Sequence, residues 1–196
     1  MLAVAISDHY LSEQDYLAGE KHSEIRYEYM DGQVYAMAGA SKRHVVITGN
    51  VFAQLRAAAK GLPCTVYQSD MKVRTAAHKT YYYPDVVVGC EDDEASDYYL
   101  EKPCLIVEVL SDSTEKRDRR EKLLAYINIP TLKAYLLVAQ DQYEVEMFYR
   151  EPTGSWWVET FSGLESTLTL PCPEMSLSLA EIYEGIELNP TVINEE

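Results

Sequence analysis

The run Leu105-Ile106-Val107-Glu108-Val109-Leu110 constrains this chain more than any other segment. Polar and apolar positions do not alternate in it, so it reads as a strand covered on both faces. A strand of that kind needs material packed on either side. Glu108 sits inside it with apolar neighbours on both sides. A buried carboxylate is unfavourable unless it is paired, hydrogen-bonded or bound to metal, so Glu108 marks a site as well as a strand. Upstream, Tyr83-Pro84-Asp85-Val86-Val87-Val88 repeats the arrangement, with an acid at the mouth of an apolar strand.

The flanking pattern supplies the covering layers. Residues 9–22 read as a helix. Two strands, IRYEYM and QVYAM, are joined by Asp31-Gly32, a hairpin-turn signal. Ser41 can cap a helix over 42–60, in which Val45, Ile47, Val51, Phe52, Leu55 and Ala58 recur at roughly helical spacing. Gly61-Leu62-Pro63 ends it. One or two strands follow over 64–74, another over 85–88, then an acidic loop and the strand at 105–110. Ser111-Asp112-Ser113-Thr114 offers caps for a helix reaching about Asn128, and 134–138 is a further apolar strand. Strands over 144–150 and 156–161 and a short helix over 179–185 complete the pattern. The order α-β-β-β-α-β across 42–139 predicts an α/β fold with a mixed central sheet flanked by helices. The chain has 196 residues, 47% of them hydrophobic, which is enough for one substantial core. A single domain over 1–196 is expected, with its core at 42–139. An N-terminal helix and hairpin occupy 9–38, and a β-rich extension with a helix occupies 143–186.

Several function classes are disfavoured. No apolar stretch approaches the roughly 18–20 residues of a membrane span. The first residues lack the basic region of a signal peptide, so a cytoplasmic protein is expected. Cys64, Cys90, Cys104 and Cys172 contain no CxxC pair. A zinc ribbon is therefore not expected, and reduced, mostly buried thiols are. A formal net charge of −15 weighs against a general polyanion binder. Any nucleic-acid role must lean on a local basic cluster, a bound metal or another subunit. Lys42, Arg43, Lys116, Arg117, Arg119 and Arg120 form the available basic clusters, although a solvated helix face is the commoner role for such runs.

Asp85 and Glu108 lie on neighbouring strands of the central unit. Magnesium is commonly held by one or two carboxylates, with water and substrate phosphate completing its shell. Lys122 stands on the helix after the Glu108 strand, with Asp118 one turn earlier on the same face. On spacing alone, Asp118–Lys122 reads better as a surface ion pair worth about 0.3–0.5 kcal/mol than as part of a site.

The segments YYYPDVVVGC and PCLIVEVLSDSTEKRDRREKLLAYINIPTLKAYLLV resemble the "putative restriction endonuclease" family known as the Uma-type group, within the PD-(D/E)xK nuclease superfamily. The similarity extends upstream through RYEYMDGQVYAMAGASKRH and downstream to about Tyr183, nearly the whole chain. Its most specific element is the run EVLS-x-ST-x3-D-x3-K. The resemblance implies a restriction-endonuclease-like core and an endonuclease, dependent on Mg²⁺ or Mn²⁺, that hydrolyses phosphodiester bonds of DNA. Asp85 matches the aspartate of the PD motif and Glu108 the acid of the second motif. The backbone carbonyl of Val109 would be a further metal ligand. The superfamily usually carries a lysine two residues after that acid, where this chain has Leu110. Similar families carry it on the following helix, which points to Lys122.

Supporting positions have alternatives. The resemblance suggests that Glu28 approaches the metal site; an outward-facing hairpin residue is the equal alternative. His44 either contacts the site or substrate phosphate or serves the helix end. Asp70 and Lys72 share one strand face by their i,i+2 spacing, and Lys72 is the rival to Lys122. By analogy, cutting two strands favours a homodimer. Two other functions stay open. One is a catalytically inactive nuclease-fold binding or scaffold protein, which Leu110 and the acidic composition favour. The other is a metal-dependent enzyme on a small phosphorylated substrate.

Overall fold

The computed structural model describes residues 10–75, 79–90, 96–112 and 114–188. Helix α1 (Glu13–Glu20) starts where the Ser12 hydroxyl accepts the Asp15 N–H. Strands β1 (Tyr27–Met30) and β2 (Gln33–Ala36) form the expected hairpin. Its turn residues Asp31 and Gly32 both take positive φ, 39° and 93°, as a tight two-residue hairpin turn requires. Helix α2 (Lys42–Ala58) is capped by Ser41, whose hydroxyl accepts the His44 N–H. Next come β3 (Thr65–Gln68), β4 (Lys72–Thr75), β5 (Thr80–Tyr82), β6 (Val86–Gly89), β7 (Tyr99–Leu100) and β8 (Pro103–Val109). The following helical run has three parts: α3 (Glu115–Arg117), a π turn over Asp118–Lys122, and α4 (Leu123–Tyr126). Then come β9 (Ala134–Val138), β10 (Glu144–Arg150), β11 (Trp156–Ser162), β12 (Thr167–Pro171), β13 (Glu174–Ser178) and α5 (Leu179–Ile182).

The expected α-β-β-β-α-β unit is α2, β3, β6, β8, the α3–α4 run and β9. Its sheet is mixed, in the order β11-β10-β9-β8-β6-β3. Strand β8 runs antiparallel to β6 and parallel to β9, and all its residues are buried. Alternation divides its side chains between two cores. Leu105, Val107 and Val109 pack with Ile47, Val51 and Leu55 of α2 and with Leu168, Leu177 and Ile182 of the C-terminal elements. Ile106 and Leu110 pack on the other side with Tyr82, Ala125 and Tyr126. Glu108 shares that second side. Each such large apolar side chain contributes about 1.5–3 kcal/mol when fully buried, so the two cores hold β8 rigidly.

The sequence pattern did not separate a second sheet, in the order β2-β1-β5-β4-β7. The strand signal over 64–74 divides between the two sheets, with β3 in one and β4 in the other. Asp70 falls in the turn between them rather than on a strand face with Lys72. The β12–β13 hairpin is likewise additional. It buries Leu168, Leu170 and Leu177 while presenting polar residues outward.

The cysteines are not reduced thiols. Cys64 is bonded to Cys90, and Cys104 to Cys172. The reason is topological. Thr65 pairs with Gly89, so Cys64 and Cys90 continue that antiparallel register, while the β12–β13 turn brings Cys172 to Cys104. The acidic stretch 91–95, the cap candidate Ser113 and residues 189–196 lie outside the described residues. No helix among the described residues is long and apolar enough to cross a membrane.

Candidate active site

Val86 pairs with Val107. Asp85 lies one residue before β6, so continuing this antiparallel register brings it opposite Glu108. Its carboxylate is held from two sides. Asp85 Oδ2 accepts the backbone N–H of Val109 at 2.7 Å, and Oδ1 accepts from His44 Nε2 at 2.9 Å. The first turn of α2 thus delivers His44 to the mouth of β6. The Val109 contact seen is through its N–H, beside the Glu108 position.

Glu108 is 3% exposed and Lys122 4%. Lys122 Nζ lies 2.9 Å from Glu108 Oε1, 3.1 Å from Glu28 Oε1 and 3.1 Å from Asp118 Oδ1. The Asp118 contact falls outside hydrogen-bond geometry, which leaves Oδ1 a buried oxygen without a donor. Tyr126 donates its hydroxyl to Glu108 Oε1 at 3.3 Å. Arg117 donates to Glu28 Oε2 at 3.1 Å and stacks its guanidinium on Tyr35. The π turn contributes Asp118 and Lys122 and α4 contributes Tyr126, all turned toward β8 from one helical run. Such turns recur at functional sites because the extra residue re-aims side chains.

The electrostatics follow from burial and neighbours. Burial pushes the Glu108 carboxyl well above its ordinary value; Lys122 opposes this, and Asp118 and Asp85 add to it. For Lys122, burial works against the charge, but Glu108, Glu28 and Asp118 outweigh it and hold the ammonium well above its ordinary range. Lys122 is therefore a fixed positive charge at neutral pH. Burial, then the Glu108 charge, raises Tyr126, so its phenol stays a donor.

Five of the expected positions, Asp85, Glu108, Lys122, Glu28 and His44, converge here, with Asp118 as a sixth. Glu28 faces inward: β1 turns Tyr29 toward Tyr16 and Tyr81 while its neighbour Glu28 reaches Lys122. Two expected positions do not join. Asp70 is exposed and pairs with Arg26 at 3.4 Å. Lys72 is buried elsewhere, donating to the Tyr83 hydroxyl at 3.0 Å with Glu20 at 3.9 Å. Tyr83 in turn donates to Glu20. Two site residues were missed in the sequence. Tyr126 had a legible signal, since Asp118, Lys122 and Tyr126 recur every fourth position. Arg117 had none beyond its place in a basic run.

The donor set is hard and acidic. Glu28, Glu108 and Asp118 face one ammonium, Glu28 also meets one guanidinium, and Asp85 adds a fourth carboxylate opposite Glu108. That excess of carboxylate oxygen suits magnesium or manganese rather than a soft metal. The Asp85 and His44 side chains are 20% and 15% exposed, so their end of the site meets solvent. Leu110, two residues after Glu108, packs in the apolar core beside Ala125 and Tyr126, and the positive charge beside Glu108 comes from Lys122 on the helical run instead.

Residues 13–180 match the Uma2 family, described as "Putative restriction endonuclease". Two uncharacterized proteins of Synechocystis sp. are similar along most of their lengths. The protein slr1290 is 35% identical over 90% of this chain and 93% of its own. The protein sll1609 is 31% identical over 78% of this chain and 88% of its own. The crystal structure of a putative nuclease belonging to DUF820 from Anabaena variabilis superposes with a TM-score of 0.67. It covers 82% of this chain and 90% of that one, and at 16% identity it speaks to the fold.

Proposed function

The chain belongs to the Uma2 family of restriction-endonuclease-like proteins, and from that membership we propose a metal-dependent endonuclease that hydrolyses phosphodiester bonds of DNA. The observation that carries the reading is the excess of carboxylates around Lys122 and the Asp85–Glu108 pair. Asp85 and Glu108 would hold Mg²⁺ or Mn²⁺, with the Val109 carbonyl as a further ligand. When bound, such an ion polarises a phosphoryl oxygen and lowers the pKa of a water.

The chain's own residues do the rest. His44 and the Val109 N–H orient Asp85. Tyr126 and Lys122 orient Glu108. Lys122 stays protonated and offers a fixed positive charge for the scissile phosphate or the attacking water. Glu28 and Asp118 keep its ammonium in place. A homodimer would present two such centres to the two strands of a duplex.

One observation favours a smaller phosphorylated substrate. Arg117 and Arg119, in the main basic cluster, already engage Glu28, Glu115 and Glu146, so that helix face offers reduced net charge to a duplex backbone. The test is cleavage of supercoiled plasmid with Mg²⁺ or Mn²⁺, beside hydrolysis of a small phosphodiester. The wild type, Asp85→Asn, Glu108→Gln and Lys122→Met are compared, with chelator as control. Plasmid nicking that all three substitutions abolish is expected. Intact plasmid under both metals from a cooperatively folded protein overturns the endonuclease reading. Hydrolysis of the small diester alone transfers the site to the second reading.

A further inference from the structure

The four cysteines come from four separate places in the chain. Cys64 precedes β3, Cys90 follows β6, Cys104 lies in β8, and Cys172 lies in the β12–β13 turn. Thr65 opposite Gly89 sets Cys64 beside Cys90, and the irregularity after Val88 leaves Cys104 next to them. The two bridges touch each other. Cys90 Sγ is 3.2 Å from Cys172 Sγ and 3.5 Å from Cys104 Sγ. Those three sulfurs all lie within 4.8 Å of one another, and Cys64 is bonded to one of them. Cys104 and Cys172 are buried.

Two crosslinks have no need to share one spot, whereas four ligands of one soft ion do. Tetrahedral zinc with Zn–S near 2.3 Å sets its sulfurs about 3.8 Å apart. The contacts of Cys90 with Cys172 and Cys104 are already close to that spacing; the bonded pairs have to open, and Cys64, held beside Cys90, has to turn its sulfur in toward the other three. The missing CxxC spacing argued against zinc in the sequence. Strand pairing supplies the proximity that spacing did not.

We propose that Cys64, Cys90, Cys104 and Cys172 in their thiolate state bind one zinc ion as a closed structural site. Reduction of both bridges takes four electrons and four protons from two equivalents of a dithiol, each oxidised to its cyclic disulfide. Four thiols result, and zinc binding displaces their protons. A closed sulfur shell leaves no position for a reacting water. The ion's role is to tie β3, β6 and β8 to the β12–β13 hairpin. Cys104 and Glu108 are four residues apart on β8, about 13 Å along an extended strand. The cluster is thus separate from the carboxylate centre and independent of the nuclease reading.

The test is zinc content by elemental mass spectrometry after purification of the full chain under reductant, with cobalt substitution as an optical probe. One zinc per chain is expected, together with the ligand-field and thiolate charge-transfer bands of tetrahedral cobalt–sulfur coordination. Cys64→Ser and Cys104→Ser should lose the zinc, while Glu108→Gln should keep it. The wild-type cobalt spectrum needs no variant to fold. Reduced wild type that takes up neither zinc nor cobalt overturns the site. So does zinc that survives both serine substitutions, or that leaves with Glu108→Gln.

Discussion

Lys122 places its ammonium 2.9 Å from Glu108 Oε1, reaching back from the helical run to the strand that precedes it. On spacing alone, Lys122 looked like half of a surface ion pair. In the fold it is the buried centre of three carboxylates, and the i,i+4 partner Asp118 is one of them.

Removing that centre should destabilise the fold. Lys122→Met leaves Glu28, Glu108 and Asp118 buried without their ammonium. A loss of about 3–5 kcal/mol is expected, as for other broken buried pairs, read from urea unfolding at neutral pH. A change of under about 1 kcal/mol, the range of exposed pairs, would place Lys122 in solvent.

Glu108 should make stability depend on pH. Its folded pKa is raised above the ordinary 4.5, so the folded chain holds the proton more tightly than the unfolded chain. Linkage then makes wild-type stability fall as pH rises from that value through the folded pKa. Lys122, whose folded pKa is raised above 10.5, contributes stability that is fully present throughout this window and lost only at higher pH. Glu108→Gln keeps the uncharged form. Its stability relative to wild type should therefore climb with pH, followed by urea titrations at fixed ionic strength. A difference that stays flat contradicts the assignment.

His44 should act through Asp85. Residues that orient a metal-ligating group typically contribute 10–100-fold to affinity. His44→Ala is accordingly expected to weaken Mn²⁺ binding by about that factor in calorimetry, with the fold intact. Wild-type affinity in the variant removes His44 from the site.

The rival lysine should be silent in the chemistry. Lys72→Met disturbs the Glu20–Tyr83 cluster and should lower stability, yet leave Mn²⁺ affinity at the wild-type level. Asp70→Ala, at an exposed ion pair, should shift stability by no more than about 0.5 kcal/mol. Loss of metal binding in folded Lys72→Met protein would restore Lys72 as the active lysine.

What was legible in the sequence was whatever local chemistry determines. Asp31-Gly32 announces its hairpin because only certain residues tolerate both positive φ values. Ser41 announces α2, and the unbroken apolar run announces β8. Asp85 and Glu108 stood out because a carboxylate in such a run needs a reason. Nonlocal geometry was not legible. The direction of Glu28 depends on which side of β1 meets the helical run, and the Asx-Gly turn says nothing about that. The meeting of Cys64, Cys90, Cys104 and Cys172 depends on the β3–β6 register and the path of the β12–β13 hairpin. Nor did helical periodicity, which assumes an even turn, reveal the π turn at Asp118–Lys122.

That turn gives the chain a sensitivity to length that substitutions cannot expose. A π turn is an α-helix carrying one surplus residue, and each residue advances a regular helix by about 100°. Deleting a single residue between Ser111 and Asp118 while the π turn persists would shorten the run by one such step. The change would swing Lys122 and Tyr126 around the axis relative to β8. Alignments that tolerate a gap there would pair every side chain plausibly and still describe a protein with no centre. In this fold the count of residues before Lys122 is as much a part of the site as the lysine itself.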